Sequence, residues 1–153
     1  MTCYPPVAIV IGQLGYGGAE RQVSILAREL AGNRWPVTVI CLSEVIEPFG
    51  ADLVQAGVTV LKIPRSGNYE TGRVLRLAGL LRKQRPGLIH SFLGVANIYS
   101  YLARTLAGSS RFIPTARTLP VEQTFIAGLL TGRSLKAGAM VHANSRAAAR
   151  LFA

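Results

Sequence analysis

The sequence predicts an α/β fold, a Rossmann-like three-layer sandwich built on a mostly parallel sheet. Short apolar runs rich in β-branched residues alternate along the chain with longer stretches whose apolar residues recur every three or four positions. The short runs fit parallel strands buried on both faces, and the longer stretches fit helices that cover the sheet. A length of 153 residues, half of them hydrophobic, suits one globular domain of this kind.

The first strand–turn–helix unit is the clearest part of the pattern. Residues 7–11 form an uninterrupted apolar run, and residues 12–18 hold four glycines. Apolar residues then recur at helical spacing from 23 to 30, and Gly32 with Asn33 ends the helix. A glycine-rich turn at this place aims the free N–H groups of a helix N-terminus at an anion. The alternative is a tight turn that binds nothing, and the turn alone does not decide between the two.

The remaining elements follow in the same order. Bounded by glycine, proline or polar residues, further strands are expected at 37–42, 58–63, 88–93, 111–118 and 139–144. Pro114 within the fifth strand predicts that one side of that strand is incompletely paired. Further helices are expected at 49–56, 71–85, 95–107, 120–130 and 146–152, and the segment 132–138 is ambiguous. Because the last helix reaches the end of the sequence with its apolar stripe barely begun, we expect this chain to be a piece of a longer one.

Charge is distributed unevenly along the chain, whose formal net charge is +10. Residues 1–72 hold five basic and six acidic residues, whereas residues 73–153 hold twelve basic residues and one acid, Glu122. This excess predicts an acidic partner, such as a phospholipid surface or a diphosphate, unless it is merely a solvated surface. The third expected helix is basic and amphipathic, which suits an anionic membrane surface as well as packing on the sheet. Nucleic acid is not expected, because only 7% of the residues are aromatic and they do not cluster as stacking platforms.

Composition and motifs also argue against several classes of protein. No apolar run reaches the length of a membrane span, and no basic secretion signal opens the chain. We therefore expect a cytoplasmic protein, at most peripheral on the inner face of the membrane. Asp52 is the only aspartate, so an Asp-x-Asp motif for a metal-bound nucleotide is missing, and no metal or other cofactor is expected. A Gly-x-Ser-x-Gly elbow is also missing, which argues against a serine hydrolase.

The glycine turn matches neither of the common nucleotide fingerprints. In the G-x-G-x-x-G pattern the third glycine falls on Glu20, and Gly17-Gly18-Ala19 stands where a P-loop would need lysine. A dinucleotide-dependent oxidoreductase domain, with Glu44 holding the ribose, remains an alternative. A basic anion- or membrane-binding module without catalysis is another. What stands at the turn is Gly-Gly-Ala-Glu-Arg, which opens the first helix.

This motif resembles the N-terminal domain of the retaining GT-B glycosyltransferases of family 4, within the glycogen-synthase-like superfamily. The similarity extends to residues 26–30, to His90-Ser91-Phe92 with Ala96-Asn97, and to Ala143-Asn144-Ser145. It implies that residues 1–153 are a single domain forming one half of a GT-B architecture. In that architecture this half binds a glycan or lipid-linked acceptor, and a second domain, which this chain lacks, binds the nucleotide sugar. The resemblance thus implies a hexosyltransferase at full length and an inactive domain in isolation.

The resemblance also implies roles for individual residues. Gly17 and Gly18 would bind the donor diphosphate, and their N–H groups with nearby arginines would stabilise the leaving charge without a metal. His90 occupies the first position of a catalytic His-x-His pattern, whose second position here is Phe92. The acceptor-side candidates follow the expected strands and are Glu20, Asn97, Arg117, Asn144 and Ser145. These roles require a turn that faces the carboxyl edge of the sheet and is not filled by the chain's own side chains.

Overall fold

The structure is a computed structural model that describes residues 4–65, 71–108, 111–116 and 125–143. Strands and helices alternate strictly within these ranges. The strands are β1 (Val7–Ile11), β2 (Val37–Cys41), β3 (Thr59–Lys62), β4 (Leu88–Phe92), β5 (Arg111–Ala116) and β6 (His142–Ala143). The helices are α1 (Gly18–Gly32), α2 (Phe49–Gln55), α3 (Thr71–Gln84), α4 (Gly94–Ala107) and α5 (Phe125–Lys136).

The six strands form one sheet in the order β3-β2-β1-β4-β5-β6, and every pair is parallel. The predicted Rossmann-like fold is therefore confirmed. The chain builds the sheet outward from β1 in one direction, then returns and builds from β4 in the other. This reversal between β1 and β4 opens a crevice at the carboxyl ends of the strands, where sheets of this kind bind ligands.

Helices cover both faces of the sheet, and alternate residues of β1 serve the two layers. Ile9 and Ile11 pack with Val23 of α1 and Leu53 of α2. Ala8 and Val10 pack on the opposite face with α3 and α4, and α5 continues that layer beside α4. All five residues of β1 are buried, which explains why its sequence is a continuous apolar run rather than an alternating one.

The second half of the chain departs from the expected boundaries. The ambiguous segment is helical through Lys136, so α5 continues past Gly132. The sixth strand begins at His142 instead of the expected 139, because Gly138 packs against the ring of Pro114 and pairing with β5 begins only at Thr115; Asn144 lies outside the described residues. This agrees with the predicted incomplete pairing at Pro114. The expected last helix, 146–152, lies outside the described residues.

Candidate functional site

An open cavity of about 630 Å³ lies at the carboxyl ends of β1 to β4. Its walls come from the residues that follow these four strands and from the first turns of α1, α3 and α4. The lining residues are Gly12, Gln13, Glu20, Leu42, Ser43, Glu44, Pro64, Arg65, Arg73, Leu93, Val95 and Ala96. The cavity therefore occupies the crevice that the strand order creates, which is the usual ligand site of a doubly wound sheet.

The glycine turn leads into α1, whose first turn reaches this cavity through Glu20, whereas Gly17 and Gly18 are not among the lining residues. Gly17 is the N-cap residue that precedes the first residue of the helix, and as a glycine it has no side chain to cap it. The carbonyl oxygen of Gly17 accepts the first helical hydrogen bond, from the N–H of Arg21 at 3.0 Å. The N–H groups of the first turn thus lack intrahelical partners, and together with the helix dipole they favour a negative charge at this point.

Glu20 partly fills the turn. Its side chain is 7% exposed, and a Cβ built on Gly17 would lie 2.7 Å from the Glu20 Cδ. At Gly18 the turn is open, since a Cβ built there meets no described atom within 4 Å apart from its chain neighbours and the backbone of its own helix. The expectation of an unfilled turn therefore holds at Gly18 but is wrong at Gly17. The reason is that a glutamate in the first turn of a helix can fold back toward the helix N-terminus.

Charged side chains surround the rest of the cavity. The guanidinium of Arg73 lies 5.4 Å above the ring of Tyr99, and this cation–π contact holds it at the wall. Glu44 forms a 2.7 Å ion pair with Lys62. The hydrogen bond to Glu44 and the charge of that carboxylate raise the pKa of Lys62. Glu44, the candidate ribose ligand of the oxidoreductase alternative, is thus engaged by Lys62.

Leu93 has a strained backbone at the cavity wall. It links β4 to α4 with φ 75° and ψ 158°, a conformation found almost only in glycine. Such a conformation costs about 1–3 kcal/mol and is retained where surrounding structure imposes it, often next to ligands. Strain at this position supports the assignment of the cavity as a functional site.

Replacing Leu93 with glycine is expected to change the free energy of unfolding by less than about 1 kcal/mol, since relief of strain offsets the lost side-chain contacts. Leu75→Gly is the control, because Leu75 is 62% exposed in α3 and its replacement should cost about 1 kcal/mol through helix propensity alone. Urea denaturation of both variants measures the effect. A loss greater than about 2 kcal/mol for Leu93→Gly would show that this backbone is not strained.

His90 lies apart from the cavity. It is a central residue of β4, on the face of the sheet that carries α1, and it is not among the cavity-lining residues. Its Nε2 lies 3.1 Å from the Thr115 hydroxyl, and its ring centroid lies 5.6 Å from that of His142. His90 therefore does not line this cavity, and its catalytic role stays a prediction.

The side chain of Asn97 is buried and forms hydrogen bonds within the protein. Its side chain is 2% exposed and ties β4, α4 and β5 together. The Ser91 hydroxyl donates to its Oδ1 at 2.6 Å, and its Nδ2 donates to the Thr115 carbonyl at 3.1 Å. Asn97 thus supports the strand ends from within and does not line the cavity. The other acceptor-side candidates, Arg117, Asn144 and Ser145, lie outside the described residues.

Sequence reasoning did not single out Arg73 and Leu93 as site residues. One signal was available for Arg73, which lies in the first turn of the helix after the third strand and therefore near the carboxyl edge. None was available for Leu93, because a leucine carries no sequence mark of an unusual backbone conformation. In the described part of the chain, no three His, Cys, Asp or Glu residues come together in a way that would hold a metal ion.

The model of the family described as Glycosyltransferase Family 4 matches residues 16–153. The chain belongs to glycosyltransferase family 4. None of the curated protein sequences matches it significantly.

Solved structures of glycosyltransferases share the fold. HepE (Alr3699) of Anabaena in complex with UDP matches at a TM-score of 0.75 and 15% identity, over 96% of this chain and 40% of HepE. HepE in complex with UDP-glucose matches at a TM-score of 0.72 and 17% identity, over 97% of this chain and 40% of HepE. The lipopolysaccharide outer core galactosyltransferase WaaB, in its apo form, matches at a TM-score of 0.56 and 14% identity, over 71% of this chain and 32% of WaaB. This family 4 chain thus spans about 40% of the length of HepE and has the fold of one half of a GT-B glycosyltransferase.

A strongly basic layer covers the side of this domain opposite α1. The helices α3, α4 and α5 together carry seven basic residues and no acidic one, whereas α1 and α2 carry three acids and two bases. We call the outer surface of α3, α4 and α5 the basic face. It also exposes three leucines, at 46–62%: Leu75, Leu106 and Leu129. Within the described residues, no helix combines the length and apolar character that crossing a bilayer requires.

Proposed function

We propose that this family 4 domain is the acceptor-binding half of a retaining glycosyltransferase that uses a nucleotide-diphosphate sugar. The observation that carries the proposal is the start of α1, which is open at Gly18 and whose first turn reaches the cavity on the carboxyl edge of the sheet through Glu20. Such a helix start binds phosphate groups well. HepE, which shares the fold, has been solved with UDP and with UDP-glucose, and this supports the same class of donor here.

In this proposal the N–H groups at Gly17 and Gly18 bind the donor diphosphate, whose negative charge grows as the sugar leaves. Fixed N–H groups and a guanidinium such as that of Arg73 stabilise this charge without a metal ion. The rest of the donor belongs to a second domain beyond the residues of this chain, so the isolated chain is inactive. His90 keeps its place as a weaker catalytic candidate.

The cavity takes the acceptor, a glycan or a lipid-linked sugar. Glu20 is one of the two acidic residues that line it, with Glu44, and in this proposal its carboxylate accepts a hydrogen bond from an acceptor hydroxyl once the donor is bound. Arg117, Asn144 and Ser145 follow the fifth and sixth strands and complete the acceptor side in this proposal. The basic face makes an anionic membrane surface a fitting second partner, since it combines cations with exposed leucines that enter the headgroup region. A peripheral location at the inner face of the membrane follows from this arrangement.

Gly18→Ala tests the donor site. A methyl group at this position should weaken UDP binding about tenfold, because the phosphate must approach the backbone closely. Folding should be preserved, since a Cβ built on Gly18 meets no described atom within 4 Å. Amide ¹H–¹⁵N NMR titrations with UDP, inorganic pyrophosphate and uridine give the affinities. The amide resonances of residues 17–20 should shift with UDP and pyrophosphate but not with uridine.

Gly32→Ala is the matched control for this experiment. Gly32 lies at the other end of α1, and a Cβ built there also meets no described atom within 4 Å. This variant should bind UDP as the parent does. Equal affinities for the two variants, or amides at the turn that do not respond to UDP, would contradict the proposed donor site.

A further inference from the structure

Glu20 is the acidic residue in the first turn of α1, and it occupies an unusual position. Its side chain is 93% buried, and its carboxylate lies against the backbone of Gly17 at the wall of the cavity. Its oxygens are not among the buried side-chain atoms that the described residues leave unpaired, and Glu20 lines the open cavity.

The helix N-terminus stabilises the carboxylate in its position beside Gly17. The partial positive charge at the start of α1 and its free N–H groups attract a carboxylate as they attract a phosphate. The two anions cannot share the place, because like charges at contact distance repel strongly where water is partly excluded. Glu20 and a diphosphate therefore compete for the same positive end of the helix.

We propose that Glu20 is a built-in competitor of the donor diphosphate. Without donor, its carboxylate occupies the anion position beside Gly17. The incoming diphosphate displaces it, and the side chain rotates into the adjoining cavity, where it meets the acceptor. This inference rests on the proposed function, because it takes the start of α1 as the diphosphate site.

The flexibility of the glutamate makes this displacement inexpensive. The Glu20 atoms nearest to a Cβ at Gly17 are the two carboxylate oxygens and Cδ, which form the far end of the side chain. Rotation about the side-chain bonds clears this space without moving the backbone, and the adjoining cavity has room for the carboxylate. Binding of donor thus places an acidic group on the acceptor side only once the diphosphate is present.

The test compares diphosphate affinity in the whole chain and in two charge-matched variants. Glu20→Gln keeps the size of the side chain and removes its charge, so it should bind UDP and pyrophosphate about fivefold more tightly than the parent. Glu29→Gln removes the same charge from an exposed position in the last turns of α1 and should bind within about twofold of the parent, since the dipole effect fades beyond the first turn. Amide NMR titrations measure all three, and Glu20→Ala repeats the test if the glutamine variant folds poorly.

The outcomes separate this inference from the donor site itself. Tighter binding by Glu20→Gln alone supports the competition. Equal or weaker binding by Glu20→Gln, with amides at the turn that still respond to UDP, overturns the competition and leaves the donor site intact. Amides at the turn that respond to neither UDP nor pyrophosphate in any of the proteins overturn both.

Discussion

Replacing Asn97 with alanine is expected to lower the free energy of unfolding by about 3 kcal/mol. The substitution removes the hydrogen bonds to the Ser91 hydroxyl and to the Thr115 carbonyl, and also the 3.3 Å bond that the Thr115 N–H donates to Oδ1. Ser91 and Thr115 are themselves buried, at 0% and 1% exposure, so water cannot replace these bonds. Leaving buried polar groups unsatisfied costs more than the bonds gain when they form.

Asn33→Ala is the control for this substitution. Its Nδ2 donates one hydrogen bond to the Glu29 carbonyl at an exposed site, where water can take over, so we expect a loss of about 1 kcal/mol or less. Urea denaturation curves of both variants give the comparison. A loss below about 1 kcal/mol for Asn97→Ala would mean that Asn97 does not tie the strand ends together, and that its place in the acceptor site should be reconsidered.

Neutralising Arg76, Arg82 and Lys83 together should weaken binding to phosphatidylserine-rich vesicles about 100-fold at low salt. Each basic residue near such a surface contributes about 1 kcal/mol, so replacing the three by glutamine removes about 3 kcal/mol. All three side chains lie on the exposed side of α3, within the basic face. Vesicle flotation at two salt concentrations measures the effect, and the difference should shrink at the higher one.

The matched control neutralises three exposed arginines that lie outside the basic face, Arg21, Arg28 and Arg34. The two triple variants have the same net charge, so a response to overall charge would affect them equally. We expect the control to retain most of the binding. Equal losses in both variants, or a parent that does not float with anionic vesicles, would rule out the basic face as a membrane-docking surface.

The fold was predictable because its signals are local. The buried run 7–11 and the helical spacing from 23 to 30 each arise within one element, and alternation of the two elements requires a parallel sheet. The sixth strand was harder to predict, because the residue at which it begins depends on contact between Gly138 and Pro114. That contact joins distant parts of the chain and leaves no periodic pattern.

The candidate site was predictable only in part, for a similar reason. The turn at Gly17 and Gly18 could be recognised, because glycines between a strand and a helix have a local meaning. Whether the turn is open depends on the rotamer of Glu20, which packing decides. Asn97 shows the same limit, since its position near a strand end suggested a ligand contact, whereas the tertiary structure uses its amide to join β4 to β5.

By itself, the sequence determined that twelve of the seventeen basic residues of this family 4 domain follow residue 72 and that a glycine turn opens the first helix. Only the tertiary structure decided that the basic helices α3, α4 and α5 lie on one face. The chain reverses direction in the sheet after β3, and right-handed crossovers then place α3, α4 and α5 on the side opposite α1 and α2. Strand order depends on pairing between distant segments. The difference in charge between the two halves of the sequence therefore became a difference in charge between two faces only on folding.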